Sequence, residues 1–182
     1  MNNTQKRIHE SSRFAIYFAP EISSALHMLG SQWIGRDANS GKLIKQPKIP
    51  DITSEYLYKI TKNPRLYGFH ATLKAPFQLN IRFTLNDLQD HIQRFCASIQ
   101  PFNMYLKIKQ ADQFLALVMD PREKKMVKLA SNLVKQADHF RAPIQQPMID
   151  KRRLSVLTRS QDSNLLKWGY PYVFSDFRFH MT

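Results

Sequence analysis

Two stretches of the chain place a histidine two residues ahead of a threonine within an aromatic, alternating run. One is Tyr67-Gly68-Phe69-His70-Ala71-Thr72-Leu73-Lys74 and the other is Asp176-Phe177-Arg178-Phe179-His180-Met181-Thr182. Along a strand, side chains alternate between faces. Phe69, Ala71 and Leu73 therefore share one face, and His70, Thr72 and Lys74 the other. In the second stretch Phe177, Phe179 and Met181 oppose Arg178, His180 and Thr182. Each stretch thus has an apolar face for anchorage and a face carrying an imidazole, a hydroxyl and a cation. Two imidazoles can divide acid and base roles near neutral pH. Opening a cyclic phosphodiester needs that division: one ring takes a proton from water, and the other gives one to the leaving oxygen. Threonine hydroxyls can donate to the non-bridging oxygens. Lys74 and Arg178 can add positive charge, the arginine in bidentate fashion. The expected catalytic pair is His70 and His180, with Thr72 and Thr182 binding phosphate, and no metal or other cofactor is needed. Two other readings remain open: a histidine satisfied within the core, and a zinc site. Zinc wants three or four ligands, and no further His, Cys or acid lies at ligand spacing beside either strand.

The elements that would position these residues follow from pattern. Residues 1–12 are polar and are expected to form a disordered tail, leaving residues 13–182 as a single domain. Arg13–Pro20 reads as a strand stopped by proline, with Phe14, Ile16 and Phe18 on one face and Arg13, Ala15 and Tyr17 on the other. Tyr17 is on that ground a candidate for holding substrate. Residues 21–34 show helical spacing of Ile22, Ala25, Leu26, Leu29 and Trp33, which leaves His27 on the solvent side. A long loop over Gly35–Pro50 could act as a mobile lid. Thr53 or Ser54 caps a short helix to Lys62. Thr84 and Asp87 form a capping box opening a helix that buries Leu85, Leu88, Ile92, Phe95, Cys96 and Ile99; His91 falls beside that stripe. Strands are expected over 102–109 and 114–119, and a long helix over 122–140. Residues 142–149 read as a loop, Thr158–Trp168 as a helix closed by Gly169, and the chain from Tyr172 as a last strand. The class is α+β, with each half offering a helix ahead of a His-x-Thr strand.

Bulk composition agrees with a folded globule. Of the 182 residues 43% are apolar, with 12 Phe and 7 Tyr, enough to build a core. One cysteine excludes an intrachain disulfide and points to a reducing compartment. No apolar run reaches the roughly 18–20 residues of a membrane span, and the N-terminus carries no apolar signal core. A cytoplasmic protein without membrane attachment is expected. The net charge of +13 attracts anions, so the expected partner is a phosphate-bearing small molecule or an RNA end.

The paired Phe-His-x-Thr words resemble those of the two-histidine (2H) phosphoesterase superfamily. Arg13–Pro20, Trp33–Asp37, Tyr67–Phe77, Trp168–Tyr172 and Phe177–Thr182 are similar to one bacterial branch of it, named for phosphonate metabolism. The similarity runs from about Arg13 to the last residue. It implies two pseudo-symmetric lobes of antiparallel sheet with helices outside and the His-x-Thr strands facing a central cleft. It also implies hydrolysis of 2′,3′-cyclic phosphates or 2′–5′ linkages by His70 and His180, with Thr72 and Thr182 beside them. Tyr17, Lys74 and Arg178 come from strand parity alone. The family's second motif usually continues for a few more residues, whereas here a free carboxylate would sit beside Thr182. The alternative is a non-catalytic binder of RNA or a phosphorylated ligand on the same fold. No Gly-rich lysine loop of the ATP-binding type is present to support a ligase.

Overall fold

The computed structural model describes residues 12–111 and 114–182; the expected N-terminal tail, residues 1–11 of it, lies outside them. The class is α+β. The described strands are β1 (Arg13–Phe18), β2 (Ala71–Gln78), β3 (Leu106–Ala111), β4 (Phe114–Met119) and β5 (His180–Met181). The described α-helices are α1 (Ala25–Ile34), α2 (Ser54–Ile60), α3 (Lys62–Arg65), α4 (Leu85–Ala97), α5 (Lys124–Gln136), α6 (Gln146–Arg153) and α7 (Arg159–Trp168). The strands form one open antiparallel sheet in the order β1-β2-β5-β4-β3. Each compact unit of the chain is assembled from three sequence segments.

The first unit takes residues up to Ile16, then Leu73–Asn103 and Lys124–Arg178. Phe77, Leu88, Ala137 and Phe140 are buried together, with Phe14, Ile16 and Phe83 packed on them. Helix α5 turns Met126, Ala130, Leu133 and Val134 inward, at the three- and four-residue spacing of one helical face. Met126, Leu133 and Val134, removed from water, each contribute about 1.5–3 kcal/mol. Thr84 and Asp87 close the expected capping box on α4, and Thr158 and Gln161 close a further one on α7. Gly169 ends α7 at φ 74°, where a side chain would be strained. Three expectations are corrected. Cys96 is exposed rather than in the core, because α4 buries only Leu88 fully. Residues 146–153 are helical: Pro147 sits in the first turn, where its missing N–H costs nothing, so two prolines did not make a loop. The last stretch is a 3₁₀ turn (Phe174–Asp176) followed by a two-residue strand, so Arg178 lies outside β5.

The second unit takes Tyr17–Thr72, Met104–Glu123 and Phe179–Thr182. Its buried residues include Ile34, Leu57, Phe69, Ala71, Ala116 and Met181. Ser24 caps α1 by accepting from the His27 amide. The inward face of α1 is His27, Gly30, Ser31 and Ile34, not the expected apolar stripe. Gly30 explains the choice: a Cβ there would run into the Phe69 ring, so only glycine lets the helix lie on it. His27 is buried instead of solvated, its Nε2 3.5 Å from the Asp37 carboxylate. The displaced stripe, with Leu26, Leu29 and Trp33, lines an apolar cavity of about 660 Å³.

Candidate functional site

Strand pairing in the second unit decides the site. β2 and β5 run antiparallel with Ala71 opposite Met181. Directly opposed residues in an antiparallel pair point to the same side. Thr72 is therefore across from His180, and His70 across from Thr182. Each histidine faces the threonine of the other motif, and the two imidazoles are diagonal neighbours on one face. β4 continues the rows, because Val118 is opposite His180 and Leu117 opposite Met181. β3 completes them, with Lys107 opposite Val118 and Lys109 opposite Ala116. One row thus reads Thr72, His180, Val118, Lys107, and the next reads His70, Thr182, Ala116, Lys109. The odd-numbered neighbours Phe69, Leu115, Leu117 and Met181 lie on the other face and border the apolar cavity.

His70 is tightly placed. Its Nδ1 lies 2.8 Å from the Gly68 carbonyl oxygen, and an N–H donating there leaves the Nε2 lone pair free. The Thr72 hydroxyl is 3.5 Å from that Nε2. The Tyr17 ring stands 3.8 Å from the imidazole, centroid to centroid, and Tyr67 meets it edge-on at 6.5 Å. Gly68 makes this possible: it has φ 82°, and a Cβ on it would collide with Ala38. Burial holds the His70 pKa below the ordinary imidazole value of 6.5; the Gly68 carbonyl opposes that shift, and the nearby His180 reinforces it. His180, by contrast, is exposed, with the Phe114 ring 6.1 Å away. Tyr17 is itself partly exposed, and burial raises its phenol pKa, with Tyr67 adding to the shift.

Of the residues expected from sequence, His70, Thr72, His180, Thr182 and Tyr17 come together in the second unit. Lys74 and Arg178 belong to the first. Lys74 is only 4% exposed, and its Nζ lies 3.4 Å from both the Asp138 carboxylate and the Val134 carbonyl. Burial lowers its pKa, Asp138 raises it and Arg141 lowers it further. That ammonium is committed to an internal ion pair, which corrects its placement as a substrate contact. Arg178 is exposed. Lys107 and Lys109, not expected from sequence on this face, lie on its rows by register, and their alternation with Leu106 and Ile108 is the available signal. Both reach the Asp120 carboxylate, at 3.4 and 3.0 Å, so two cations share one anion. Among the described residues no group of three or more His, Cys, Asp or Glu is arranged to hold a metal ion. No described helix is long and apolar enough to cross a membrane.

Comparison with known proteins adds a family. The model of a family described as "Protein of unknown function (DUF1045)" matches residues 72–182, well over half of the chain. A protein of Janthinobacterium sp. (strain Marseille) named ribose 1,5-bisphosphate phosphokinase PhnN is 37% identical over 94% of this chain. One of the same name from Laribacter hongkongensis (strain HLHK9) is 29% identical over 93%. The chain spans only 38% and 39% of the lengths of these two curated relatives. No solved structure matches it. The chain belongs to the DUF1045 family.

Proposed function

We propose that this DUF1045 chain is a phosphodiesterase that opens a small cyclic phosphate by two-histidine acid–base catalysis, without a metal. The observation that carries the reading is the crossed register: two His-x-Thr pairs on one sheet face, each imidazole opposite the other motif's hydroxyl. His70 is the base. Its Nδ1–H is engaged by Gly68, its Nε2 lone pair is free, and burial keeps it neutral at pH 7. It removes a proton from water as the water oxygen bonds to phosphorus. His180, as imidazolium, gives a proton to the ester oxygen as the P–O bond to it breaks, leaving a phosphomonoester and a free hydroxyl. Thr72 and Thr182 donate to the non-bridging oxygens, where charge builds. Lys107 and Lys109 supply positive potential from β3, across β4 from His180.

The kinase name of the longer relatives is not the reading for this stretch. The only Gly-x-x-x-x-Gly in the chain, Gly30 to Gly35, is followed by Arg36 and Asp37 rather than Lys and Ser/Thr, and Gly30 lies within α1. What that name supports is a phosphorylated ribose as substrate class, in keeping with the resemblance to a branch named for phosphonate metabolism. The test is hydrolysis of a panel of 2′,3′-cyclic nucleotides and cyclic ribose phosphates, each with and without EDTA, beside the His70→Ala/His180→Ala protein. Turnover that survives EDTA and disappears in the double variant is expected. Turnover that EDTA abolishes, or that the folded double variant retains, contradicts the proposal. Silence across the panel combined with salt-sensitive RNA binding would favour the non-catalytic binder.

A further inference from the structure

We infer that the first unit carries a second anion site, separate from the histidine face, that takes a phosphorylated small molecule. A concavity of about 620 Å³ opens there, within the range of small-molecule sites. Among the described residues its lining includes Arg13, Arg141, Lys151 and Arg152, and not one carboxylate. Two of the four cations are already fixed. Arg141 donates to both oxygens of Asp138, at 2.9 and 3.3 Å, and to the Ala142 and Lys167 carbonyls. It lies across Gly169, where any Cβ would crowd the guanidinium. Arg152 is held over the Tyr170 ring at 4.9 Å. Among the described residues, neither Arg13 nor Lys151 has an ion-pair partner, and both are exposed.

The charge balance is therefore lopsided. Asp138 serves Arg141 and Lys74 together, and among the described residues no other ion pair reaches the cations around this cavity. Like charges brought together repel unless something compensates them, and a phosphate dianion does so with oxygens matched to the guanidinium fork. The apolar part of the wall, from Phe77, Ile144 and Met148, gives the body of such a ligand a surface to lie on. Gln145, the N-cap of α6, also lines the cavity and makes no side-chain bond to its own helix, which leaves that amide available. The concave shape and the apolar wall favour a small molecule over an extended RNA strand.

The test uses the full chain carrying His70→Ala/His180→Ala, so that the histidine face contributes little and the outcome does not depend on whether that face is catalytic. Pyrophosphate and adenosine 5′-monophosphate are titrated by calorimetry at two salt concentrations. Expected are saturable binding of both, weakened by salt, and a further loss of about 10–100-fold when Lys151→Ser/Arg152→Ser is added. Arg13→Gln/Lys151→Gln, which alters only exposed side chains, should weaken binding in the same direction and serves as the control for folding. In the otherwise natural chain, Lys151→Ser/Arg152→Ser should leave cyclic phosphate turnover at the parent level. Undiminished affinity in both sets of variants would overturn the inference. So would binding of a short single-stranded RNA that the variants lose while neither small probe binds at all.

Discussion

The two His-x-Thr motifs use the same words in different surroundings. His70 is half-buried, walled by Tyr17, and oriented by a carbonyl two residues earlier that only a glycine with positive φ can present. His180 sits exposed on a strand of two residues, held chiefly by the burial of Met181 and Phe179 on either side. A buried, hydrogen-bonded imidazole suits a base that must stay neutral, and an exposed one can carry the proton needed for the leaving oxygen. Sequence symmetry thus becomes chemical asymmetry through what surrounds each ring. On the proposed reading, parity along a strand finds the face and the environment assigns the role.

The comparison breaks most readily at the histidines. His70→Ala and His180→Ala should each lower kcat/KM by about 10²–10⁴-fold on a cyclic phosphate with a poor leaving group. On a p-nitrophenyl phosphodiester, whose leaving oxygen needs no proton, His180→Ala should lose little while His70→Ala still loses fully. Equal losses on both substrates would remove the asymmetry. Gly68→Ala is the next largest change, because it strains a positive φ and pushes a methyl into Ala38. Displacing the carbonyl that orients His70 should lower kcat by about 10²-fold, with a smaller effect on KM. Steady-state kinetics on the folded variant checks this.

Tyr17 sharpens the account of burial. Tyr17→Phe keeps the ring beside His70 and should leave the pH dependence unchanged. Tyr17→Ala opens His70 to water and should move its pKa up toward 6.5, readable by NMR titration of the ring protons. The smallest expected effect on catalysis is at Lys74. Lys74→Met should leave turnover unchanged and alter stability little, because Asp138 keeps Arg141. Asp138→Ala strands a buried ammonium and should cost about 2–4 kcal/mol in denaturant unfolding, the carboxylate being partly in water.

Much of this was legible beforehand, where local physics decides. The strand at 114–119, the capping box at Thr84 and the glycine stop at Gly169 all follow from residues within one turn of each other. What was hidden depends on partners distant in sequence. The spacing in α1 points to the wrong face because Phe69, about 40 residues on, requires the glycine side of that helix. Local spacing places His27 in solvent because nothing in it announces Asp37. Lys74 was read by parity, but its ion-pair partner lies on the far side of α5 in sequence. The candidate site was found for the opposite reason: its chemistry repeats as two short local words, and pairing had only to set them side by side.

The central claim is that His70 acts as a base kept neutral by burial, and the profile of kcat/KM against pH in EDTA tests it most directly. A group with a depressed pKa stays unprotonated until pH falls below 6.5, so the acidic limb should lie below that value. It should vanish from the residual rate of His70→Ala. An acidic limb that survives replacement of His70, or a rate indifferent to pH, would contradict the account.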